Sequence, residues 1–370
     1  MSRSNRIAIY KKIESHRKSP LIVYVTSKRE GAAATMATDV LPYIIEQLDA
    51  ISEDTKSLDF LIVSYGGDPM VAWRIMSLIR QRVKKVSVLI PQSAYSAATL
   101  LAFGGNEIVM HPNGHLGPVD MQITTYNEGR ARSFSTEQIT AFLDFVRDNL
   151  KITDQEHIRT LFESICKEVG SLGIGFTARS SKLAADLGER LLAFHMKERD
   201  GSPSKLRTMV ESMSRKFQSH SYPVNRTEAQ EIGLPIGKRD KVLESLMWEL
   251  WLDIEEELKE RIPFKPLQEL LNNAEGAKLF SPVPQLDLPP NAATPNHFSS
   301  DLDKVRAASV KIEPVDFEIR NAIVESARMT HSCITRGKIL ACRNPNLAIA
   351  FNAVTTSRAW EKQLNKAKGA

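Results

Sequence analysis

Residues 61–73, LIVSYGGDPMVAW, run from an apolar stretch through two glycines into a segment with helical spacing. Asp68 reads as an N-cap there and Pro69 as the first helical residue, where its missing N–H costs nothing. Residues 91–120, PQSAYSAATLLAFGGNEIVMHPNGHLGPVD, show the same succession, with serines at the mouth of an alanine-rich helix. Working outward, LIVYVTS (21–27), LDFLIVSYGG (58–67), KKVSVLIPQ (84–92) and NEIVMH (106–111) read as strands. TDVLPYIIEQLDAIS (38–52), DPMVAWRIMSLIRQRV (68–83) and SAATLLAFGG (96–105) read as helices between them. Strand and helix alternating in units of this size imply crossover connections and a parallel sheet covered on both faces.

The remaining composition narrows the class. With 370 residues, 42% hydrophobic and 25% charged, the chain is long enough for a buried core and more than one folded unit. Mean hydropathy is −0.24, and no apolar run reaches the roughly 18 residues of a spanning helix. The basic N-terminus lacks the apolar core of a signal peptide, so a cytoplasmic location is expected. Cys166, Cys333 and Cys342 are too few and too scattered for a disulfide framework. A net charge of +5 is mild for this length and implies no specific nucleic acid. The eight Lys and Arg before position 30 read as a solvated face, compatible with peripheral contact to an anionic membrane.

Further along, residues 136–200 read as mostly helical, and KVLESLMWELWLDIEEELKERI (241–262) as a strongly amphipathic helix. Its Trp248 and Trp251 form an apolar stripe, read as core packing with a subunit interface as the rival. Residues 263–300 are rich in proline and read as a linker, and 301–370 as a basic extension with a frayed end. No internal repeat is visible.

A serine hydroxyl is a poor nucleophile unless a base takes its proton and donors hold the oxyanion it creates. Ser96 stands where a strand gives way to a helix, a place of unpaired N–H groups and positive dipole. The Ala97 amide is placed to face an oxyanion beside that serine. Gly66 and Gly67 let backbone approach a substrate closely. The plain alternative is that Ser93 and Ser96 are helix caps and the diglycine an ordinary turn. Both features at the carboxyl ends of adjacent parallel strands, where α/β sheets build their sites, favour chemistry.

The order SYGGDPMVAWRIMSLIR, then KVSVLIPQSAYSAATLLAFGGNEIVMHPNGHLGPVDMQI, resembles the Clp peptidase and signal-peptide-peptidase superfamily. It is closer still to the serine dehydrogenase proteinase family. LGPVDMQI resembles the family signature LGP[IV]DPQI, with Met121 where proline is usual, and HSYPVNRTEAQEIGLPI resembles its HGYPI…EA…GL segment, with Ser221 replacing glycine. The resemblance spans roughly residues 5–240. It implies an α/β fold of Clp/crotonase type: a repeated ββα/βαβ superhelical core with a parallel sheet, plus a helical C-terminal extension. The division expected is a peptidase domain at 1–262, a linker at 263–300 and an extension at 301–370.

Carried over residue by residue, Ser96 matches the nucleophile, and Gly67 and Ala97 match the oxyanion-hole amides. The Clp histidine position falls on Val119 or Asp120, so that base is missing. His220, from the shared EA…GL segment, with Asp120 to orient it, is the base this comparison favours. His115 and Lys151 are the other candidates. The reading is a serine peptidase acting on a peptide or protein, a homo-oligomer as the family implies, needing no cofactor and no metal. Its rivals are a catalytically silent oligomeric scaffold that binds peptides, and a dehydratase using pyridoxal phosphate, for which no phosphate-cradling loop is seen. His111 and His115 share i, i+4 spacing, but Pro112 and Gly114 argue against a metal-binding helix face. GIGFTA (173–178) follows no clear strand and reads as a turn at a helix start, not a dinucleotide loop.

Overall fold

The computed structural model describes residues 3–119, 122–127, 130–196, 202–215, 219, 221–282, 309–344 and 347–364. Four parallel strands form its centre: β1 (Leu21–Thr26), β2 (Ser57–Val63), β3 (Lys85–Ile90) and, beyond the short β4 (Ser93–Ala94), β5 (Glu107–Met110). Pairing runs Leu21↔Asp59 to Val25↔Val63, Ser57↔Lys85 to Leu61↔Leu89, and Ser87↔Glu107 to Ile90↔Met110.

Side chains alternate between two buried faces, as strands covered on both sides require. Ile22, Tyr24, Phe60, Ile62, Val88, Ile90 and Ile108 join one core. There they meet α2 (Leu41–Asp49), α3 (Pro69–Arg82) and α4 (Ala97–Phe103). Leu21, Val23, Val25, Leu61, Leu89 and Val109 point the other way into a second core. That core is closed by α1 (Arg3–Arg17), with Ile9, Tyr10 and Ile13, and by a long helix at Lys241–Glu257, with Leu250, Trp251 and Ile254. Each large apolar side chain so buried stabilises by about 1.5–3 kcal/mol.

Three expectations change. The basic N-terminus is a helix packed along one side: Lys11 and Lys12 stay solvated as expected, whereas Arg6 and Arg17 turn inward. Arg6 is 1% exposed and lies 2.7 Å from Asp253 and 2.9 Å from Glu325, with Glu257 also in contact. Arg17 meets Asp59 and Glu107, each at 2.9 Å. Charge alone suggested solvation, whereas the carboxylates that neutralise these groups lie far away in sequence. The GIGFTA segment lies within a helix, Ser171–Met196, rather than at a turn that opens one.

The largest difference concerns the C-terminal extension expected to be helical. After the short β6 (His115–Leu116) and a hairpin of β7 (Gln122–Asn127) and β8 (Arg130–Ser135), the described residues from 310 onward form strands: β9 (Val310–Lys311), β10 (Val315–Ser326), β11 (Met329–Arg343) and β12 (Ile349–Leu364). They continue the sheet antiparallel from β1, in the order β12-β11-β10-β1-β2-β3-β5. VDFEIRNAIVES alternates and is β-branched in the manner of a strand, and β1 offers an edge to complete (Ile22↔Ser326 to Thr26↔Ala322). Part of the expected linker is ordered as helices at Pro266–Leu271 and Ala274–Ala277, while its residues 283–300 lie outside the described residues. Trp251 is core, and Trp248 stacks on His111 at 4.8 Å and 7°.

Candidate active site

The two turns singled out in the sequence are packed against each other. β2 ends at Val63, and Ser64 continues alongside β4: its N–H donates to Ser93 O at 3.0 Å, and the Tyr95 N–H donates to Ser64 O at 2.9 Å. The diglycine follows at once, and both glycines have positive φ, +94° at Gly66 and +146° at Gly67. A Cβ on Gly66 would stand 2.8 Å from Ser96 Cβ and 3.0 Å from Ala97 N. A Cβ on Gly67 would stand 2.3 Å from Met36 O. Glycine is required at both places for space as well as for φ.

The loop after β1 anchors this bend. The Met36 N–H donates to Gly66 O at 2.7 Å, and the Asp68 N–H donates to Met36 O at 2.9 Å. In such a parallel bridge Met36 takes both hydrogen bonds, so the Gly67 N–H is directed away from it. Neither the Gly67 nor the Ala97 N–H has a hydrogen-bond partner among the described residues. Beyond the bend, Asp68 caps α3 by accepting from Met70 N at 2.8 Å, with Pro69 first in the helix.

Ser96 sits at the head of α4 with φ 51° and ψ −116°, outside the ordinary regions for a residue bearing a Cβ. It is partly exposed, and its hydroxyl neither caps the helix nor bonds any described residue. The plain reading as a helix cap therefore fails for Ser96. Ser93 is buried and donates to the side chain of Gln92 instead. Thr99 Oγ1 lies 2.7 Å from Ala94 O and 2.8 Å from Gly117 O, tying the turn to the segment that follows β5.

Two tyrosines that the sequence reading passed over join the halves. Tyr65 precedes the diglycine and Tyr95 precedes Ser96; their rings stack at 5.0 Å and 16°. Tyr95 fits only because residue 117 is glycine, where a Cβ would fall 1.8 Å from its Cδ1. The available signal was positional: each tyrosine is the last residue before a turn already marked for chemistry.

The candidate bases differ in what can be said of them. Asp120 and His220 lie outside the described residues. Their neighbours are held close to the turn. The Tyr95 hydroxyl donates to Ser221 O at 3.3 Å, Val224 and Leu116 exchange hydrogen bonds at 2.8 and 2.9 Å, and Ser214 Oγ donates to Val119 O at 2.9 Å. His115 lies on a two-residue strand, β6 (His115–Leu116), paired with β4 as Ser93↔His115. Its ring meets Tyr95 edge-on at 5.4 Å, and Nδ1 lies 3.1 Å from Asn113 O. Burial, with a smaller contribution from the Lys28 charge, holds its pKa below the usual imidazole range. Lys151 is exposed, with φ 58°, and the structure brings it to none of these residues. Among the described residues no group of three His, Cys, Asp or Glu could hold a metal ion.

Comparison with known proteins agrees with the resemblance read from the sequence. Residues 2–135 match the profile of the family described as ClpP-like SDH-type serine proteinases. That span covers β1 to β5 with the diglycine and Ser96, so the likeness to these proteinases lies in the part of the chain that carries both turns. Two uncharacterized proteins of Methanocaldococcus jannaschii are similar. One is 21% identical over 62% of this chain and 73% of its own length, the other 27% identical over 33% and 43%. Among solved structures, a serine-to-alanine mutant of a membrane-bound stomatin-specific protease aligns with 60% of this chain and 83% of its own, at 14% identity and a TM-score of 0.34. A probable enoyl-CoA hydratase/isomerase from Mycobacterium abscessus aligns with 67% and 97%, at 11% identity and a TM-score of 0.21.

Proposed function

We propose that this chain is a serine peptidase in which Ser96 attacks the scissile carbonyl and the Gly67 and Ala97 amides hold the oxyanion of the tetrahedral intermediate. The observation carrying this reading is the contact of the two turns, with Gly66 pressed on Ser96 and two neighbouring N–H groups unbonded. A strained serine with a free hydroxyl beside such donors suits acyl transfer. His220, oriented by Asp120, takes the proton from Ser96 Oγ and returns it to the leaving amine. His115 is the second reading for the base, favoured by its place against Tyr95 and by a burial that favours the neutral imidazole. The substrate is a peptide or protein, the enzyme is a cytoplasmic homo-oligomer, and neither metal nor organic cofactor takes part. For localisation the supporting fact is narrower: among the described residues no helix is long and apolar enough to cross a membrane.

Covalent labelling with a fluorophosphonate tests the reading. The wild type is labelled and Ser96→Ala is not; no labelling of the folded wild type supports a silent scaffold instead. Peptide hydrolysis by His220→Ala and His115→Ala then assigns the base, the true one losing about 10^4-fold or more in kcat, and Asp120→Ala loses activity too if it orients His220.

A further inference from the structure

The central sheet ends differently on its two sides. At one side β5 is four residues long and covered: the Ile108 N–H donates to Pro235 O at 2.8 Å, and the Gly237 N–H donates to Ile108 O at 2.9 Å. At the other side β12 runs for sixteen residues, bonded to β11 from Met329↔Leu364 to Arg343↔Ile349. Its outer edge pairs with no strand among the described residues. Alternate N–H and C=O groups along that edge point outward as a template for another strand.

Natural sheets blunt an open edge with lysines, with proline or by keeping the strand short. Here residues 349–355, IAFNAVT, hold no charge, no proline and no bulge; a bulge follows at Thr356, and the charges of β12 come only beyond it, at Arg358, Glu361 and Lys362. Residues 350–359 stand exposed on both faces, among them Phe351 at 45% and Val354 at 41%. The protected edge and the unprotected edge belong to one sheet, so this contrast asks what covers β12.

We infer that a second copy of this chain does, pairing its β12 antiparallel with this one across a twofold axis in the uncharged run. Two identical antiparallel strands are self-complementary by symmetry, each contact occurring twice. With the axis at Ala353, Phe351 faces the other copy's Thr355 and Asn352 faces its Val354, all within the bulge-free run. Arg358, Glu361 and Lys362 lie beyond the bulge, outside the paired run, so no like charges meet in it. A charged foreign peptide would find nothing in this run to match it, and an edge without charge does not repel its own copy.

The full-length chain in sedimentation equilibrium tests this. The wild type has the mass of an even number of 41.4 kDa chains. Ala353→Lys sets two like charges face to face and halves that mass, with the far-ultraviolet circular dichroism and melting temperature kept, because position 353 is exposed. Ala353→Glu does the same, and mixing the two variants restores the wild-type mass. A short bis-maleimide also links Ala353→Cys chains in pairs, a readout that needs no disruptive charge. A wild-type monomer overturns the inference, as does one that gains a strand from some other protein. A folded Ala353→Lys of undiminished mass, or a mixture that stays at the halved mass, overturns it equally.

Discussion

At Ser96 the backbone holds φ 51° with a side chain attached, a strain of about 1–3 kcal/mol kept in place by the surrounding turn. Ser96→Gly accordingly abolishes labelling while raising the unfolding free energy by ~1 kcal/mol, since glycine accepts this region freely. Denaturant melts decide it, and a less stable Ser96→Gly would remove the strain account. Gly66→Ala acts oppositely. Its methyl group meets Ser96 Cβ at 2.8 Å at a φ of +94°, so both stability and labelling rate fall, the former by about 1–3 kcal/mol. The pH profile belongs to this scale too. A histidine base works only when neutral, so kcat/KM rises with pH through its pKa; if His115 is the base, burial sets that rise below about 6.5. Loss of the rise in His115→Gln assigns the base to His115. Its persistence points to His220.

Among elements, the pairing of α1 with the helix at Lys241–Glu257 depends on a buried cation. Arg6 contacts Asp253 and Glu325, residues 1% or less exposed at the side chain, and Arg6→Ala leaves both carboxylates without it. Loss of one partner from a buried ionic group costs about 3–5 kcal/mol, read as a lower denaturation midpoint. Arg6→Met keeps the hydrophobic stem and still leaves the carboxylates uncompensated, so it recovers only part of that loss. The amphipathic periodicity of the long helix was readable because each apolar residue signals its own face locally. The partner of Arg6 was not. A basic residue on a helix looks the same whether it ends in water or against a carboxylate more than two hundred residues away. The same limit hid the stacked Tyr65 and Tyr95, which are adjacent only after β2 and β4 have come together.

Across the whole molecule, the strands between Val310 and Leu364 complete a sheet begun at residue 21. β10 covers the edge of β1 through five paired residues, Ile22↔Ser326 to Thr26↔Ala322. A chain ending at residue 308 lays bare a β1 whose side chains are almost wholly buried in the native fold. Light scattering and soluble yield should show that truncated chain aggregating, whereas one that stays monomeric and labels with fluorophosphonate would show the strands to be dispensable. The extension thus belongs to the architecture around the site, although its proline-rich approach and basic composition read as an appendage.

What the amino-acid order determined unaided was local: the alternation of strands and helices to residue 111, the capped start of α3, and the two turns carrying Gly66, Gly67 and Ser96. Spacing, caps and glycine requirements act over a few residues and leave their mark in the order itself. Only the tertiary structure decided that the two turns touch, that Ser96 is strained and uncapped, and that Arg6 and Arg17 are neutralised inside. It also turned the final segment into strands. Those outcomes depend on contacts between distant residues, whose free energy exists only once the chain has closed on itself.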